Sequence, residues 1–122
     1  RTFKNAKFPE IVERTRVALS SQGFGVLTEI DVKATLKKKI DADIADYLIL
    51  GACNPNMAHE AMKIEPRVGA MLPCNVIVRA VGDDIEVSAI DPVASMMGID
   101  NATLKTVAGN VRGMLEHVVA EI

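Results

Sequence analysis

Two stretches decide the fold: Tyr47-Leu48-Ile49-Leu50-Gly51-Ala52-Cys53-Asn54-Pro55-Asn56-Met57-Ala58-His59 and, further along, Leu72-Pro73-Cys74-Asn75-Val76-Ile77-Val78. Asp46 to Cys53 is a short, nearly continuous apolar run closed by Asn-Pro. A run of this length between turn residues predicts a buried strand. Asn54 is suited to cap a following helix, and Pro55 to its first position, where a missing N–H costs nothing. Ala58, Ala61 and Met62 give that helix one apolar face, and Glu65-Pro66-Arg67-Val68-Gly69 breaks it. Pro73 marks the entrance to a second strand, Cys74 to Val81. Both cysteines and one of the two histidines fall in these stretches.

Upstream, Thr2-Phe3-Lys4 reads as the end of a first strand. The chain begins at Arg1 rather than Met, so a preceding piece is expected to be missing. Pro9 opens a helix in which Phe8, Ile11, Val12, Thr15, Ala18 and Leu19 recur at helical spacing. Gly23 ends it as a left-handed cap. Phe24 to Ile30 is rich in β-formers and reads as a strand. Asp31 caps a short helix, Val32 to Lys39, and Asp41 to Ala45 connects onward.

Downstream, Gly82-Asp83-Asp84 is a hairpin turn into a strand over Ile85 to Ile90, which Asp91-Pro92 stops. Val93 to Gly98 is a loop or a single turn. Asp100 is placed to cap the last helix, whose stripe is Leu104, Val107, Ala108, Val111, Leu115, Val118 and Ile122. Gly109 and Gly113 in that helix suggest close packing on the sheet. Short connections favour antiparallel pairing. The fold class is α+β: one domain over residues 1–122, two layers, a mostly antiparallel sheet covered by helices.

The chain has 122 residues, enough for a core without disulfide or metal staples. Aromatics are 3% with no Trp, so the core rests on aliphatic residues and bases have little to stack on. A net charge of −2 lacks the basic stripe of a nucleic-acid binder. Lys37-Lys38-Lys39 is the one dense basic patch, and its simplest role is to complement a helix C-terminus. No apolar run is long enough to span a membrane. Two cysteines in such a domain point to a reducing compartment, so a cytoplasmic location is expected.

Four segments carry a resemblance. Gly23-Phe24-Gly25-Val26-Leu27-Thr28-Glu29-Ile30-Asp31, Leu50-Gly51-Ala52-Cys53-Asn54-Pro55, Leu72-Pro73-Cys74-Asn75-Val76 and Ser88-Ala89-Ile90-Asp91-Pro92 together resemble the bacterial and archaeal family called domain of unknown function 302. The segments occur in order over nearly the whole chain. The resemblance implies a TATA-binding-protein-like β-α-β(4)-α core with inserted short helices, and a homodimer. It implies no activity, and no DNA binding, since fold alone does not carry function.

The candidate site is the end of the sheet where Cys53 leaves one strand and Cys74 enters the next. If the faces of these residues coincide, the two thiols approach each other; the register decides this. Such a pair suits redox chemistry, sulfur handling or a soft metal with His59, and a helix starting after Cys53 would favour its thiolate. The plainer interpretation is packing, since free cysteine behaves as a small hydrophobe. No zinc spacing is present, so no metal and no cofactor is expected. Asn54, Asn75 and Asp91 cluster at strand ends and are ligand-binding candidates, though such residues usually serve as caps and turns. Met71, Met96 and Met97 are candidates to line an adaptable pocket. The expected function is a homodimeric binding module for a small ligand or partner at the Cys53/Cys74 end, rather than an enzyme. A thiol-dependent protein and a purely structural dimer are the alternatives, with Cys53 and Cys74 as catalytic candidates in the former.

Overall fold

A computed structural model describes residues 1–122. The order is β1 (Thr2–Phe3), α1 (Phe8–Ser21), β2 (Gly25–Asp31), α2 (Val32–Ile40), β3 (Tyr47–Cys53), α3 (Pro55–Ile64), a 3-10 turn (Pro66–Met71), β4 (Cys74–Val81), β5 (Asp84–Ala89), α4 (Pro92–Ser95) and α5 (Ala102–Glu121). The strands form one sheet in the order β1-β5-β4-β3-β2, with every neighbouring pair antiparallel. Without α2, α3, the 3-10 turn and α4, the order is the β-α-β(4)-α that the family resemblance implies.

Alternation along the strands sorts side chains between two unlike faces. Leu48, Leu50 and Ala52 of β3, Cys74, Val76 and Val78 of β4, and Ile85 and Val87 of β5 point into the core. There they meet Ile11, Ala18 and Leu19 of α1 and Val111, Leu115 and Val118 of α5. Leu50, Val76, Val78 and Val87 are fully buried. Each such side chain contributes about 1.5–3 kcal/mol of transfer free energy. A second, smaller cluster joins Ala61, Val68, Met96, Leu104 and Ala108 under α3, the 3-10 turn and α4. The other face of the sheet lacks an equivalent layer: α2 packs on β2 and β3 but buries none of its own residues.

Local chemistry explains most element ends. Asp31 accepts from the Ala34 N–H at 2.9 Å and starts α2. Asp41 ends that helix in a left-handed conformation (φ 54°). Lys37 Nζ reaches the carboxylates of Asp41 and Asp43 at 2.7 and 3.2 Å, which holds its pKa above the ordinary lysine value.

Four expectations need correction. The last helix is capped by Asn101, which accepts from the Leu104 N–H at 3.0 Å, and not by Asp100. The break after α3 is an ordered 3-10 turn, because Glu65 accepts from the Arg67 N–H at 3.0 Å and restarts the helical path. Met62 is exposed; α3 turns Met57 and Ala61 toward the core instead. Gly109 and Gly113 are not close contacts, since a β-carbon on either would touch nothing.

Candidate functional site

The register settles which residue of β3 shares a face with Cys74. Ala52 stands opposite Cys74, and Leu50 opposite Val76. Cys53 is one position further on, at the last residue of β3, so strand alternation does not pair it with Cys74. Both cysteines are free. Cys74 is buried and Cys53 half-buried. Burial pushes the Cys74 thiol pKa up, because the low-dielectric surroundings disfavour the thiolate, and the neighbouring Cys53 adds to the effect.

The two cysteines nevertheless border one cavity. It lies where β3 and β4 meet α3, α4 and α5, and has room of about 30 Å³ for the centre of a water-sized sphere. Eleven of its thirteen lining residues are hydrophobic, so its chemistry comes from few groups. Those groups are Cys53, Cys74, Met57, Met96 and Asn54.

Asn54 works as a fastener. Its Oδ1 accepts from the Met57 N–H at 3.3 Å, which caps α3. Its Nδ2 donates to the Gln22 carbonyl at 3.3 Å and lies 3.7 Å from Met114 Sδ. One side chain thus joins the ends of α1 and β3 to α5. The chain bends beside it at Gly23, which has φ 82°.

The remaining candidates lie elsewhere. His59 is exposed on α3 and does not line the cavity. Asn75 is exposed on the opposite face of the sheet, across from Gly51, and its carbonyl accepts from the Ile90 N–H at 3.1 Å. Asp91 caps α4 by accepting from the Val93 N–H at 2.9 Å and approaches Arg112 Nε at 3.5 Å. It borders a separate open cleft between β5 and α5. The sequence-based site thus divides: Cys53, Asn54 and Cys74 converge, while His59, Asn75 and Asp91 do not join them. No three His, Cys, Asp or Glu side chains gather closely enough to hold a metal ion, so Cys53, His59 and Cys74 form no such set.

Sequence reasoning missed Met57, and of its three pocket methionines only Met96 lines the cavity. Met71 and Met97 are exposed. The signal for Met57 was its spacing: Met57 and Ala61 are four apart, on one face of α3.

A search of curated proteins gives no match. Among solved structures, the chain is similar to one titled "Crystal structure of uncharacterized conserved protein DUF302 from Bacillus stearothermophilus". The two share 25% identity and a TM-score of 0.90, over 99% of this chain and 95% of that one. The family model described as "Domain of unknown function DUF302" matches residues 1–122. The family model covers the whole chain and the antiparallel α+β fold agrees with it, and the chain belongs to the domain of unknown function DUF302 family.

Proposed function

We propose that the protein is a homodimeric binding module whose site is the cavity shared by Cys53, Asn54 and Cys74. The observation that carries this reading is the cavity itself, where space remains beside two free thiols. Its volume bounds the ligand. Pockets for drug-sized molecules run to about 300–1,000 Å³, so this one takes a ligand of one or a few heavy atoms, or a larger one only after α3 moves. The elevated Cys74 pKa fits binding better than nucleophilic catalysis, which draws on the thiolate.

Support for the dimer comes from the uncovered face of the sheet. Ile30, Ile49 and Ile77 stand in register across β2, β3 and β4. Ile30 is 47% exposed, and no helix layer matching α1 and α5 covers this row. Sedimentation at micromolar concentration is expected to give twice the chain mass, and Ile49→Lys to give the single mass. A monomeric wild type removes the dimer from the reading.

The site is tested with methyl methanethiosulfonate, a small thiol reagent. Cys74 is expected to react in the folded protein at a rate independent of urea well below the unfolding transition. Ala61→Leu, which fills the cavity, is expected to slow it. Reaction only at the rate of global unfolding overturns the site.

A further inference from the structure

The cavity is notable for what surrounds it. The chain has eight sulfur-bearing residues, two cysteines and six methionines. Four of them, Cys53, Met57, Cys74 and Met96, are among the thirteen residues lining this one small space. The sulfur of a fifth, Met114, lies 3.7 Å from the Asn54 side-chain nitrogen at its border. Methionine is a flexible residue that usually closes irregular gaps in a core. Here a gap remains among the sulfur side chains.

Size and donor chemistry point to the same occupant. About 30 Å³ admits a single atom or a body of a few heavy atoms and is too small for a drug-sized molecule. Water is a poor tenant, because it requires two to four polar partners. The lining supplies Asn54, whose side chain is already engaged with Met57 and Gln22. Hard cations are unsuited, because they require several oxygen ligands and no carboxylate lines the cavity. Soft thiolate and thioether donors suit Cu(I), zinc and iron–sulfur clusters. Zinc draws on Cys, His and carboxylate ligands rather than thioethers, and a cluster exceeds the space. That leaves Cu(I) for a lining of two cysteines and two methionines.

We propose that the cavity is a binding site for one Cu(I) ion, held by Cys53 and Cys74 with Met57 and Met96 as thioether donors. The inference rests on the cavity being a ligand site and names its ligand class. One thiol loses its proton to solvent as the sulfur–copper bond forms. The resulting thiolate neutralises the ion, so the filled cavity carries no net charge. The remaining sulfurs donate as neutral groups. The copper stays in the +1 state throughout, and no oxidant or reductant is consumed. His59, exposed on α3, takes no part.

The test is a competition under anaerobic, reducing conditions between the full chain and the Cu(I) chelator bicinchoninate. The wild type is expected to withdraw one equivalent of Cu(I). Cys53→Ser and Cys74→Ser are each expected to bind at least tenfold more weakly. Met57→Leu and Met96→Leu conserve volume and preserve the fold, so they separate loss of a donor from loss of structure, and each is expected to weaken binding measurably. Ag(I), an air-stable stand-in, is expected to shift the Met57 and Met96 methyl resonances and leave those of exposed Met71 and Met97 in place. Failure of the wild type to withdraw Cu(I), or binding by both serine variants as tight as that of the wild type, overturns the proposal. If Cys74 still reacts in the native state with methyl methanethiosulfonate while Cu(I) is not bound, the ligand cavity stands and only the metal is wrong. If that reagent also fails, both readings fall.

Discussion

Gly51 and Thr28 stand opposite each other on β3 and β2, and the Thr28 hydroxyl fills the space that a β-carbon on Gly51 would need. Pro73 closes the other side, with its Cγ 2.8 Å from that position. A glycine within a strand ordinarily costs about 0.5–1 kcal/mol relative to alanine. Here the contacts reverse the sign, since overpacking costs about 1–3 kcal/mol. Gly51→Ala is expected to destabilise by about 1–2 kcal/mol in urea denaturation. Thr28→Ala in the same chain is expected to recover part of the loss. A neutral or stabilising Gly51→Ala would contradict the packing.

Gly109 and Gly113 present the opposite case. Both lie inside α5, away from positive φ, and a β-carbon on either meets open space. Alanine there lowers the entropy of the unfolded chain without a clash, so each substitution is expected to stabilise by about 0.5–1 kcal/mol. Thermal unfolding checks this; a fall in Tm for either variant would show an undetected contact.

Asn54 separates capping from tethering. Asn54→Ala loses both its Met57 and Gln22 hydrogen bonds and is expected to cost about 1–2 kcal/mol. Asn54→Asp retains the acceptor that caps α3 but not the donor to Gln22. It is expected to fall between wild type and Asn54→Ala. If both variants destabilise equally, the tether carries the whole effect.

Much of this was legible in the sequence. Asn54-Pro55, Asp31 and Gly82-Asp83 are local signals, and each element begins or ends where they stand. Register is not local. That Cys74 faces Ala52 rather than Cys53 follows from pairing between strands distant in sequence. The same holds for Gly51, whose need for glycine comes from Thr28 and Pro73. The rotation of α3 that favours Met57 over Met62 is set by packing on α5, which period alone does not fix.

Alkaline pH probes Cys74. Its folded pKa lies above the ordinary thiol value because of burial and then Cys53. An unfolded thiol ionises at about 8.5. Above that pH the unfolded chain releases a proton that the native state keeps, so stability is full below the unfolded value and declines as pH rises toward the folded one. The urea midpoint of wild type is expected to fall more steeply than that of Cys74→Ala between about pH 8 and 10. Parallel curves would remove the thiol from the pH dependence.

The acid side has opposite sign. Lys4 and then the Asn5 N–H hold the Asp84 carboxyl below its ordinary pKa, and Arg79 does the same for Glu86. Their support is present above the unfolded carboxylate values and is lost as pH falls through the lowered ones. NMR titration is expected to show both groups ionising low, and Lys4→Ala to return Asp84 toward the ordinary range. An unmoved Asp84 in that variant would assign the shift to the backbone donor alone.

The β2 border of the sheet is irregular. Its ladder to β3 shifts register between Val26 and Thr28, with Leu27 exposed between them. A bulge breaks the spacing of free amides that a further strand would dock against. This border is therefore a poor template for the endless strand-on-strand growth that turns sheet proteins into fibres. The irregularity at Leu27 thus acts as a stopper beside interior strands that bury Leu48, Leu50, Val76 and Val78.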